Sequence, residues 1–81
     1  MNLFDTITLM SSEDYKEQFK AEYWQLYWRI NELNNMLDCW DSNKLNVSSK
    51  VPRYIYEYQL DAMCRYMDML KVRAKLEKIE I

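Results

Sequence analysis

The chain has 81 residues, 49% of them hydrophobic and 15% aromatic, a formal net charge of −2, no glycine, no histidine and one proline. That length allows one small domain, and the composition excludes a disordered chain, a basic duplex nucleic-acid binder and a membrane-spanning helix. The two cysteines, Cys39 and Cys64, lack zinc-clip spacing and read as reduced cytosolic thiols, which leaves oligomerisation as the expected stabiliser of so short a chain.

Residues 1–10, MNLFDTITLM, read either as a short helix or as an extended arm that docks its apolar side. Ser11-Ser12-Glu13-Asp14 then reads as a helix start. Ser11 is placed to accept from a first-turn amide, and Asp14 to put negative charge at the positive helix end. A first long helix is expected over residues 12–41. Its apolar positions Phe19, Tyr23, Leu26, Ile30, Leu33, Leu37 and Trp40 alternate at spacings of four and three, a heptad stripe. The helix should stop near Asp41, with Asn43 available for a left-handed cap.

Residues 42–51 form a polar linker in which Leu45, Val47 and Val51 are candidate anchors. Ser48 or Ser49 is the expected cap of a second long helix over residues 52–79, with Pro52 inside its first turn. Its stripe is Tyr56, Leu60, Met63, Met67, Leu70 and Ala74. Two long helices joined by a short break predict an all-α antiparallel helical hairpin that assembles as a homo-oligomeric bundle.

The first helix carries more apolar surface than one seam needs. Lys16, Lys20, Trp24, Tyr27, Trp28, Asn31 and Asn35 fall on a face beside the stripe. Trp24, Tyr27, Trp28 and Asn31 read as a subunit interface, where Trp and Tyr are enriched. A nucleotide site at such an interface is the sharper reading: bases stack on aromatic planes, amides read base edges, and a cation such as Lys20 pairs with phosphate. Glu13, Asp14, Glu17 and Glu22 read as a solvated face, and Met63, Met67 and Met69 as core filler. With no histidine, no nucleophile–base pair and no glycine-rich loop, neither catalysis, cofactor nor metal is expected.

The first helix reads E-x-x-x-L-x-x-R-I-x-x-L-x-x-x-L through Glu22, Leu26, Arg29, Ile30, Leu33 and Leu37. The second reads Q-L-x-x-M-x-x-Y-x-x-x-L-x-x-R through Gln59, Leu60, Met63, Tyr66, Leu70 and Arg73. Over residues 13–76 this pairing resembles the crAss-phage-related small helical phage proteins, a group that includes the anti-CBASS cyclic-nucleotide sponge. The resemblance implies a non-enzymatic homo-oligomer, hexameric in the sponge, acting in the host bacterial cytoplasm. It would hold cyclic di- or trinucleotide immune signals between protomers, away from host effectors. It further implies that an aromatic residue early in the first long helix, Tyr15 or Phe19 here, stacks on a base, while Arg29 contacts phosphate. The many tryptophans and tyrosines depart from that group and leave room for another nucleotide-derived signal, such as the adenine-ribose messengers of TIR-domain defences. The rival expectation is a protein–protein inhibitor or structural adaptor that docks its aromatic helix face on a host or phage protein.

Overall fold

The computed structural model describes residues 2–42 and 50–81. Within them lie three helices and no strand: α1 (Leu3–Met10), α2 (Tyr15–Asp41) and α3 (Arg53–Glu77). The expectations placed on Asn43, Leu45, Val47, Ser48 and Ser49 fall outside the described residues.

Residues 3–10 are helical because a capping box starts them. The Asp5 amide donates to Asn2 Oδ1 at 2.9 Å, and the Asn2 amide donates back to Asp5 Oδ2 at 3.2 Å. The helix does not dock by its apolar side, as an arm was expected to. Its buried residue is Thr6, whose hydroxyl donates to the Leu3 carbonyl at 2.6 Å and accepts from Gln25 Nε2 at 3.3 Å. Ala21, one turn before Gln25 on the same face of α2, is fully buried, and its small side chain lets α1 come close. Leu3, Phe4, Ile7 and Met10 remain exposed.

The start of α2 also differs from expectation. Ser11 is consumed at the end of α1, where its amide and its hydroxyl both donate to the Ile7 carbonyl, at 3.1 and 2.9 Å. The cap of α2 is Asp14, whose Oδ1 accepts from the Lys16 amide at 2.9 Å. Pro52 stands just before α3 as its cap residue rather than inside the first turn, and the first helical residue is Arg53. At the far end Lys78 takes a left-handed conformation (φ 58°, ψ 43°) in a chain with no glycine to offer. That turn lets the Ile79 amide donate to the Ala74 carbonyl at 2.8 Å and returns the Ile79 side chain to the core.

The two long helices pack with opposite ends matched. Tyr15 at the start of α2 donates to Glu77 at the end of α3, and Arg53 at the start of α3 makes two bonds to Asp41 at the end of α2. The heptad positions read from the sequence are those turned inward. Phe19, Leu37, Met67, Leu70 and Ala74 are buried, and Tyr23, Leu26, Ile30, Leu33, Tyr56, Leu60 and Met63 are half-buried. A core cluster joins Phe19, Leu70, Ala74 and Ile79, flanked by Tyr23 and Leu26, at the end of the molecule where α2 begins and α3 finishes. Each large side chain buried there stabilises the fold by roughly 1.5–3 kcal/mol.

Candidate functional site

At that same end, side chains from both long helices converge. Tyr15 and Phe19 are one turn apart on α2 and so share a face, their ring centroids 6.4 Å apart. Arg73 arrives from the last turns of α3. Its guanidinium carbon lies 5.0 Å from the centre of the Phe19 ring, a cation–π contact, and one of its nitrogens donates to the Tyr15 hydroxyl at 2.6 Å. Tyr15 passes the bond on to Glu77 at 3.0 Å. Glu77 and Glu22 stand 3.6 and 4.0 Å from the guanidinium, loose ion pairs at the outer limit of contact.

The electrostatics follow from these neighbours. The hydrogen bond with Tyr15 raises the Arg73 pKa above its ordinary value, helped by Glu77 and Glu22, so the cation is fixed. Tyr66 bonds to Glu22, and that bond, with partial burial and the carboxylate charge, raises its phenol above the ordinary range. Met10, Tyr15, Gln18, Phe19, Glu22 and Arg73 line an open concavity of about 250 Å³. A ring plane, a side-chain amide and a guanidinium on one wall are the groups that stack a base, read its edge and pair with phosphate.

The structure distributes the site residues expected from sequence among several places. Tyr15 is half open to solvent and its ring is available. Phe19 is a core residue, 3% exposed, with Arg73 over its face, so it supports the site from beneath. Arg29 is ten residues further along α2 than Phe19, about 15 Å by helical rise, and the two line different hollows. It stands instead between two other hollows. One, of about 260 Å³, is lined by Arg29, Glu32, Leu33, Met36, Tyr56, Gln59 and Met63. The other, of about 220 Å³, lies against α1 with Leu3, Thr6, Ile7 and Gln25. Lys20 is half-buried and lines none of these hollows.

The aromatic residues of α2 form a continuous row. Tyr23–Trp24, Trp24–Tyr27 and Tyr27–Trp28 meet edge to face at 5.2, 5.2 and 6.1 Å. Trp24 and Trp28 are half-buried within the single chain, whereas Tyr27 and Asn31 open onto a hollow of about 250 Å³ shared with Cys64, Met67, Asp68 and Lys71 of α3.

Arg73 is the residue whose site role the sequence did not expose. Arg73 stands in the second-helix motif and next to Lys71 and Lys75 near the end of α3, where the helix dipole alone accounts for basic residues. The available signal was the antiparallel pairing itself, which sets the end of α3 beside the start of α2.

Among the described residues no group of three or more His, Cys, Asp or Glu is placed to hold a metal ion, and no helix is long and apolar enough to cross a membrane. Residues 13–76, well over half of the chain, match the family model described as Sequestin. No curated protein and no solved structure matches the chain.

Proposed function

The chain belongs to the Sequestin family, and from that premise we propose that it captures a nucleotide-derived immune signal and withholds it from a host effector without hydrolysing it. The family name denotes sequestration, and the convergence of Tyr15, Gln18 and Arg73 on one open hollow carries the choice of ligand chemistry. The shared features of the ligand class are a stackable base and a phosphate. Cyclic di- and trinucleotides, the messengers held by the anti-CBASS sponge, have both, and so do the adenine-ribose signals of TIR-domain defences.

The hollow of about 250 Å³ falls below the roughly 300–1,000 Å³ of sites that enclose a small molecule. In this reading it is one wall of a pocket completed by a second protomer, so that the helical hairpins assemble as a homo-oligomer in the host bacterial cytoplasm. Arg29 then contacts phosphate from a neighbouring protomer, because it cannot reach the ligand over Tyr15 of its own chain. Phosphate binding would replace the loose carboxylate neighbours of Arg73 with a charge-assisted, paired contact. Ligand and assembly stabilise each other, because each binds only the folded form.

A thermal-shift and calorimetric screen tests this, with cyclic dinucleotides, cyclic trinucleotides and cyclic ADP-ribose isomers as separate arms. One arm is expected to raise the midpoint by several degrees, and the ligand should be recovered chemically intact after the protein is denatured. If no arm moves the midpoint and a second protein co-purifies, the adaptor reading replaces this one. Its surface would be the aromatic face of α2, along the Trp24–Tyr27–Trp28 row where Tyr27 is exposed.

A further inference from the structure

α3 carries two heptad stripes, and α2 covers only one. The covered stripe is the Tyr56–Ala74 series already described. The second is Ile55, Tyr58, Ala62, Arg65, Met69, Val72 and Leu76, which also alternates at three and four. Every member is exposed, including Tyr58 at 70%, Met69 at 58% and Leu76 at 77%. A helix with one partner needs a single apolar stripe, and the opposite face is ordinarily polar. Here the outer face is as apolar as the inner one, apart from Arg65.

We propose that a second copy of this chain covers this face, with the two α3 helices lying antiparallel about a two-fold axis near Met63 and Cys64. The occupant is a second copy because the stripe is complementary to itself on reversal. Ile55 meets Val72 of the second copy, Tyr58 meets its Met69, and Ala62 meets its Arg65. In these three pairs the large apolar side chains face one another and the one charged residue faces the one small residue, while Leu76 lies beyond the paired stretch. The Arg65 stem lies across Ala62 of the second copy while its guanidinium stays at the rim, where Asp61 already holds it at 3.1 Å.

The parallel alternative sets equal residues in one layer and places Arg65 against Arg65, a like-charge contact. Its one compensating pair, Asp68 with Arg73 of the other chain, would draw Arg73 away from Tyr15 and Phe19, toward which it is turned. In the antiparallel register Asp61 of one copy approaches Asp68 of the other along each flank, and one Arg65 lies beside each such pair. The assignment rests on the reading that the chain assembles with itself and requires no ligand.

Two measurements test it. Light scattering after size-exclusion chromatography should give an even number of protomers for the unaltered chain. The double substitution Met69→Glu with Val72→Glu should at least halve that mass while circular dichroism stays helical. In a Cys39→Ser, Cys64→Ser background, Ile55→Cys combined with Val72→Cys should oxidise to a covalent dimer, and Val72→Cys alone should not. Efficient cross-linking by Val72→Cys alone would overturn the antiparallel arrangement. An assembly that survives both glutamates would overturn the α3 seam and leave the sequestration reading standing on another interface. A chain that is monomeric with and without nucleotide would remove both.

Discussion

Arg73 and Tyr15, 58 residues apart in the chain, are joined by a 2.6 Å hydrogen bond that fixes the cation of α3 over the aromatic start of α2. The hydroxyl accepts from Arg73 and donates to Glu77, so the three groups are held together in one hydrogen-bonded chain. Pre-ordering of this kind reduces the side-chain entropy lost on binding.

The first prediction separates ring from hydroxyl at that site. Tyr15→Phe keeps the stacking plane and is expected to weaken capture of the stabilising nucleotide less than tenfold. Arg73→Gln removes the charge-assisted contact and is expected to weaken it by about tenfold or more, the scale of one hydrogen bond to a charged group. Calorimetry on both variants checks this; equal losses would mean that Arg73 acts only by holding the Tyr15 ring.

Arg29 provides a second and distinct prediction. Among the described residues it has no ion pair and lies between two hollows, so Arg29→Ala should lower nucleotide affinity without changing the mass of the assembly. Light scattering and calorimetry on the same sample read both quantities. Loss of the assembly would make Arg29 an interface residue.

For stability, Leu70 is the most informative position. It is fully buried between Phe19, Ala74 and Ile79, and Leu70→Ala should cost about 2–5 kcal/mol in urea unfolding. Val72→Ala, on the exposed face two residues on, should cost far less in the isolated protomer.

Alkaline pH supplies the fourth prediction. The Tyr66 phenol is held above its ordinary value by its bond to Glu22, so the unfolded chain releases this proton first as pH rises. The associated stability is fully present below about pH 10 and is lost as pH climbs through the higher value of the folded state. Tyr66→Phe should flatten the alkaline loss of stability relative to the unaltered chain, measured by thermal melts across pH 8–11. Identical slopes would sink the assignment.

The long helices and their inner seam were legible because burial follows a strict period, and Phe19, Leu37, Met67, Leu70 and Ala74 all turned inward where the spacing placed them. The helix starts were less legible, since Ser11 and Asp14 are both competent caps and the choice depends on where α1 ends. The nature of residues 1–10 stayed open because the buried side chain of α1 is Thr6, held by Gln25, and hydrophobic patterning does not register such a bond. The site was half legible. Tyr15 is named by its place on α2, but Arg73 gains meaning only from the register of one helix against the other, which is a property of the pair. The outer stripe of α3 was present in the letters throughout; the inner stripe satisfied the pairing with α2 first.

The left-handed turn at Lys78 ties the end of the chain to the site end of the core. It returns Ile79 to a core cluster that also holds Phe19, directly beneath Arg73. Release of that one turn would take Ile79 out of the cluster that supports Phe19 beneath Arg73. If the proposed ligand binds beside Arg73, its capture and escape would run through such a local opening, with a free energy below that of global unfolding. The Ile79 amide, hydrogen-bonded to Ala74, is the natural reporter of that opening: its hydrogen exchange should slow when the site is filled.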